Sequence, residues 1–288
     1  MLDHKETEYL AARSLSETAN RQHMFPKALA LARRAHKLNP KGIAPLLSLH
    51  LRLGEWQQAM QAIRISARKG QITRGEIRHY QAIVLLKEGT QMLSRHHPQA
   101  ALVAARKCLK LESHFAPCVA FAAEAYAACG NESKAIRVIY HAWKVAPHER
   151  LAEALRSIIG KYPKEKQLKI TRKLAALNPQ SNESDLTLAQ TAMATRDWVL
   201  ARRTLTAALE KRETVRTCQM LAALEEAEYP DFDIGSKWIA RSATAMADPA
   251  WVCGACGKAT PQWDAHCPAC EAFDSVEWKQ REMAFVGG

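Results

Sequence analysis

The sequence predicts an all-α chain of stacked helical hairpins that ends in a small four-cysteine module. Three observations carry that expectation. Up to about residue 248 the text is dominated by Ala, Leu, Glu, Lys and Arg, the strong helix formers, with no alternating β-branched run long enough for a strand. Helix breaks recur at Asn39-Pro40, Lys69-Gly70, His96-His97-Pro98, Gly130-Asn131, Ala146-Pro147, Tyr162-Pro163, Asn178-Pro179, Tyr229-Pro230 and Asp248-Pro249. Four of the eight cysteines then fall within the last 36 residues, at 253, 256, 267 and 270.

The hairpins share a pattern. A small residue opens the second helix at Ala28, Ala59, Ala101, Ala135 and Ala201, and another follows seven positions on at Ala35, Ser66, Cys108, Ala142 and Ala208. Two antiparallel helices approach closely only where small side chains face each other, and each hairpin leaves an apolar face for the next to cover. From Ala101 to Ala135 is 34 residues, the tetratricopeptide length, and from Ala135 to Ala201 is 66, about two periods. The unit around Ala135 is the clearest: Val119, Ala122, Ala123 and Tyr126 form one stripe and Ala135, Ile139 and Ala142 the facing one. Gly89 supplies the smallest residue of the preceding unit. The spacing from Ala59 to Ala101 is 42, which places an insertion at residues 69–79. The chain therefore resembles a degenerate tetratricopeptide-like α-solenoid of six or seven hairpins, domain one covering residues 1–248 and a four-cysteine ribbon covering 249–288.

Such arrays bind a protein or peptide segment along the concave face. The candidate lining residues are Ile83, Leu86 and Thr90 in one unit and Ala120, Glu124 and Ala127 in the next. Trp56, Trp143, Trp198 and Trp238 sit at helical spacing and read as core.

The formal net charge is +12 and is uneven: residues 251–288 hold three Lys/Arg and five Asp/Glu, against 38 and 24 before them. A basic body suggests an anionic partner, and an anionic membrane surface is one candidate. No dense basic run or aromatic-interleaved platform is present, so no specific nucleic acid is expected as a partner. No uncharged run approaches the roughly 20 apolar residues of a membrane span.

The segment Trp251–Trp278 has the spacing Cys-x2-Cys-x10-Cys-x2-Cys, formed by Cys253, Cys256, Cys267 and Cys270. Each Cys-x2-Cys makes a tight knuckle, and two knuckles supply four thiolates to a closed tetrahedral site without an open position, which means structure rather than catalysis. Gly257 follows the first knuckle, where a positive φ is needed, and Pro268 stiffens the second. Zinc is the expected cofactor in preference to iron, although both accept four thiolates. A module below ~40 residues cannot bury enough apolar surface alone, so the metal and the aromatics Trp251, Trp263, Phe273 and Trp278 supply its stability, as a small core or as a clamp on the last hairpin. His266 adjoins Cys267 but four cysteines already suffice. Cys108, Cys118, Cys129 and Cys218 are scattered among small residues and read as buried hydrophobes. Covalent haem attachment needs Cys-x2-Cys-His, which Gly257 and Glu271 exclude. Phosphate loops, nucleophile elbows and His-Glu-x-x-His helices are absent from the sequence, so an enzyme is not expected.

Helical repeats ending in this ribbon resemble the tetratricopeptide-type HemY family of bacteria. The resemblance rests on Trp251-Val252-Cys253 through Phe273-Asp274 and Trp278, with Thr7-Glu8-Tyr9-Leu10 and Asp197-Trp198-Val199-Leu200-Ala201 as weaker matches. It implies a non-enzymatic adaptor linked to haem biosynthesis, with haem-pathway enzymes as partners, on the cytoplasmic side of the inner membrane. HemY proteins carry two N-terminal membrane helices that this sequence lacks, so the chain itself reads as soluble. LapB, an adaptor in lipopolysaccharide control with a similar ribbon, is the more distant resemblance, and a haem or porphyrin carrier is a further alternative.

Overall fold

The computed structural model describes residues 4–39, 42–229 and 234–280. Among them it contains fourteen helices and three short strands. Two compact units result: one comprises the chain up to Ser113 together with Val252–Glu277, the other His114–Trp251 and the chain from Trp278 on.

In the first unit the hairpins are α1 (His4–Arg21) with α2 (Phe25–Leu38), α3 (Ala44–Arg52) with α4 (Trp56–Arg68), and α5 (Arg74–Ser94) with α6 (Pro98–Leu111). In the second they are α7 (Ala116–Ala128) with α8 (Glu132–Trp143), α11 (Asn182–Thr195) with α12 (Trp198–Lys211), and α13 (Val215–Glu228) with α14 (Ser236–Ser242). Between these, α9 (Glu149–Ile159) packs on α7 and α11, and α10 (Lys164–Ala175) on α11.

Five hairpin turns are built alike. Each places one residue in the left-handed region: His23, Gly54, His96, Gly130 and Arg196, with φ between 56° and 74°. The next residue's amide then donates to a carbonyl five positions back, at Ala19, His50, Met92, Tyr126 and Ala192. This closes the end of the first helix by satisfying its last carbonyls. Five residues after each left-handed position comes the expected small residue. Ala28, Ala59, Ala101, Ala135 and Ala201 have no exposed surface. The second small positions, Ala35, Ser66, Cys108, Ala142 and Ala208, are buried too. The fold is tetratricopeptide-like.

Several helices begin with proline in their first turn, as in α2, α3, α6 and α7, where the missing amide costs nothing. The expected breaks fall in connections, except that Pro98 opens α6 and that Pro40 and Pro230 lie outside the described residues. The extra length expected at 69–79 is taken up by the loop after α4 and by α5, whose 21 residues begin with a Thr73–Glu76 capping box. Trp143 is core, and its indole donates to Ser184 Oγ at 2.9 Å. Cys108, Cys118 and Cys218 are buried and Cys129 half-buried. No described helix is long and apolar enough to cross a membrane.

The C-terminal strands β1 (Ala250–Cys253), β2 (Ala259–Thr260) and β3 (Val276–Lys279) form a sheet in the order β2-β1-β3. The last described helix ends at Ser242 and the first strand begins at Ala250. Residues 252–277 nevertheless belong to the same compact unit as α1–α6.

Candidate metal centre and helical interaction face

The two cysteine knuckles are copies of one turn. The Cys253 and Cys267 amides donate to the carbonyls of Lys258 and Ala272, each five residues on. The Gly257 and Glu271 amides return to the carbonyls of Cys253 and Cys267. The Ala255 amide points at Cys253 Sγ at 3.3 Å and the Ala269 amide at Cys267 Sγ at 3.4 Å. Gly257 holds φ +72° and Glu271 holds +61°, so the second knuckle puts a glutamate where the first needs glycine.

All four sulfurs lie within 4.8 Å of one another. Cys253 and Cys270 are 3.6 Å apart, and Cys256 and Cys267 3.8 Å. Burial raises the Cys253 thiol, but hydrogen bonds from Ser275 and from nearby amides outweigh it and bring the thiol down to about 6. Cys270 receives a lowering hydrogen bond at Ala272, outweighed by burial and by the three other sulfurs, which push it up to about 12. Four sulfurs this close repel one another as thiolates unless a cation sits among them, so the donor set fits a metal ion. His266 stands outside the set: its Nε2 meets Ser48 Oγ at 2.9 Å.

The ribbon is docked on the first hairpins. Ala265 is fully buried in one apolar cluster with Ile43, Leu46, Leu47, Ile63 and Ile83, and Trp263 and Phe273 pack against its edge. Around that contact lie His79 Nε2 with Asp274 Oδ1 at 3.0 Å, Lys87 Nζ with Asp264 Oδ2 at 2.8 Å, and Arg52 with Glu271 at 3.4 Å. Trp263 and Phe273 therefore serve a core shared with α3–α5, not a clamp on the last hairpin. Trp251 and Trp278 sit elsewhere, with ring centroids 5.2 and 4.1 Å from that of His148 at the start of α9.

The partner-binding candidates separate. Ile83, Leu86 and Ala120 are buried, because α5 and α7 are covered on more of their circumference than a two-helix pattern implies. They are core and cannot line an open face. Thr90 is exposed, its hydroxyl returned to Leu86 O at 2.7 Å, and Glu124 and Ala127 are half-buried. Glu124 pairs with Arg150 across α7 and α9, and Arg156 pairs with Gln190 across α9 and α11. Arg216 bonds Glu183 at 2.7 Å and lies 3.5 Å from Glu149. Burial raises the Glu183 carboxyl, and Arg216 opposes that rise. A polar ladder thus runs across the first helices α7, α9, α11 and α13. Its signal in the sequence is spacing: Arg156 to Gln190 and Glu183 to Arg216 are 34 and 33 residues apart, about one repeat.

No family model matches the chain. A probable magnetosome protein, Mms48 of Magnetospirillum gryphiswaldense, is 28% identical over 238 residues, which are 82% of this chain and 53% of that protein. The chain thus spans about half the length of this curated relative. Among solved structures, a tetratricopeptide repeat protein from Parabacteroides merdae aligns over 83% of this chain and 93% of its own, at 13% identity and a TM-score of 0.40. MamA from Desulfovibrio magneticus RS-1 aligns over 57% and 94%, at 14% identity and a TM-score of 0.35.

Proposed function

We propose that the chain is a non-enzymatic scaffold that binds protein segments along the first-helix face of its hairpins, with one structural zinc ion in the ribbon. The observation that carries this reading is the polar ladder on α7, α9, α11 and α13. It is a row of half-buried charged and polar groups, two of its three contacts at repeat spacing, on helices whose other faces are apolar. Stacked hairpins supply long surfaces of this kind for extended partners. The four cysteines leave no open ligand position and act through packing, which a redox-inert ion serves.

A magnetosome setting is supported by the name of the 28%-identical relative. The haem-linked, LapB-like and inner-membrane settings rest on the ribbon's text alone.

Two measurements test the reading. Elemental analysis of chain purified without added metal is expected to give one zinc per chain and no visible absorption; iron with visible bands would overturn the zinc assignment. Selection of a random peptide display library on the immobilised full chain is expected to enrich peptides whose binding is lost on Arg150→Glu with helicity unchanged. Absence of enrichment, or binding indifferent to that change, refutes the scaffold face. A Soret shift on adding haem would favour the carrier alternative.

A further inference from the structure

The second helices of the same unit present a different surface. On α8, Lys134, Arg137 and Lys144 follow one another at helical spacing and are exposed, opposite the buried Ala135, Ile139 and Ala142. On α10, Lys166, Lys169 and Lys173 form a second exposed stripe, opposite the buried Thr171 and Leu174. The two helices lie side by side, since Tyr140 Oη donates to Ile170 O at 2.7 Å. The acids on these helices are Glu132, engaged by Lys161 and Tyr162, and Glu165. Among the described residues none of the six cations lies within 4 Å of a carboxylate, and Lys166 adds only a longer-range attraction to Glu132.

We infer that this α8/α10 face docks on an anionic bilayer surface. Charge alone fits any polyanion, and two further features select the bilayer. Val145, 62% exposed, directly follows Lys144, and Val199, 82% exposed, lies two residues after Asp197, which meets Arg172 of α10 at 3.7 Å. Apolar side chains beside lysines gain from burial at a headgroup boundary and gain nothing from a phosphodiester backbone. The exposed ring left on the stripe is the single small imidazole of His141, since Lys166 lies 3.6 Å over the Tyr162 ring and Lys173 5.7 Å from the Tyr140 ring, so the described face lacks a row of rings for successive bases to stack on. This goes beyond the scaffold reading and does not depend on it, because it uses the opposite helices of each hairpin.

Co-sedimentation of the full chain with vesicles tests it. Vesicles containing one-third phosphatidylglycerol are expected to bind, binding is expected to fall as salt rises, and pure phosphatidylcholine vesicles are expected not to bind. Each lysine near such a surface contributes about fivefold, so Lys166→Gln, Lys169→Gln and Lys173→Gln together should weaken binding roughly 100-fold. The charge-matched control Lys5→Gln, Arg21→Gln and Lys27→Gln should leave it within a few-fold. Val145→Ser with Val199→Ser should weaken binding several-fold without changing the salt slope. Equal losses in the two triple variants, equal binding to neutral vesicles, or lysine-dependent binding of duplex DNA without vesicle binding would each overturn the inference.

Discussion

Acidification should destabilise the second unit through His148, by an amount the structure fixes. His148 is the N-cap of α9: its Nδ1 accepts from the Arg150 amide at 3.0 Å, so a neutral ring carries its proton on Nε2. The residue is 9% exposed and packed against Trp251 and Trp278, which also touch each other. Burial, with Arg150 adding to it, lowers the imidazole from 6.5 to about 4. Protonation would also remove the cap acceptor and put a cation at a helix N-terminus, where the helix dipole disfavours it. The folded pKa of this base lies below its unfolded value, so its contribution is fully present above about pH 6.5 and is lost as pH falls toward about 4. Over the whole window a shift of this size corresponds to about 3 kcal/mol, and between about pH 7.5 and about pH 5 to about 2 kcal/mol. For a unit of this size that is a fall of roughly 4–8 °C in melting temperature. Thermal unfolding of the wild type and of His148→Asn across that range isolates the term, because groups common to both chains cancel in the difference. Asparagine keeps a cap acceptor and does not titrate. Identical pH slopes in the two chains would refute the buried neutral imidazole.

Other outcomes follow from the same geometry. Treatment with a chelator, or Cys270→Ser, should raise amide hydrogen exchange in α3, α4 and α5 if the proposed metal holds the ribbon, because Ala265 sits in their core; exchange changes confined to residues 250–280 would contradict the docking. His23→Gly, His96→Gly and Arg196→Gly should each stabilise by about 0.5–1 kcal/mol in urea unfolding, since each relieves a left-handed side-chain residue. His79 is raised by its hydrogen bond to Asp274, with Glu112 adding a smaller attraction. Its contribution is present below its unfolded pKa and is lost as pH rises through the folded one, so Asp274→Asn should flatten that part of the stability profile.

The hairpin array was legible because its determinants are local. Alanine at the opening of five second helices and the Gly and Pro breaks between helices write themselves in the text. The hairpin turn itself was less visible, because its left-handed position is occupied by His, Gly, His, Gly and Arg, and hydrogen bonding rather than residue type marks it. The four-cysteine cluster is legible for the same local reason, whereas the equivalence of Glu271 to Gly257 is not, because residue type does not mark it. Ile83, Leu86 and Ala120 lie in the core rather than on the expected partner-binding face, because burial depends on how many neighbours cover a helix, and two-helix periodicity counts only one. The docking of the ribbon was illegible: Ser48 and His266 are 218 positions apart, and no spacing rule links them.

The insertion at 69–79 and the ribbon explain each other. An ordinary repeat has no need of the extra residues that precede the Gly89 stripe. Here they lengthen α5 by turns that carry Ile77, His79 and Tyr80. His79 holds Asp274, and the Tyr80 ring centroid lies 6.2 Å from that of Phe273. Ile77 and Tyr80 pack against the cluster that encloses Ala265. A regular 34-residue unit would lack those turns and leave the ribbon with a smaller apolar seat. A four-cysteine module this short has little core of its own, so the lengthened helix supplies burial that a bound metal alone would not. The irregularity in the repeat is thus a matched surface for a segment about 190 residues further along the chain.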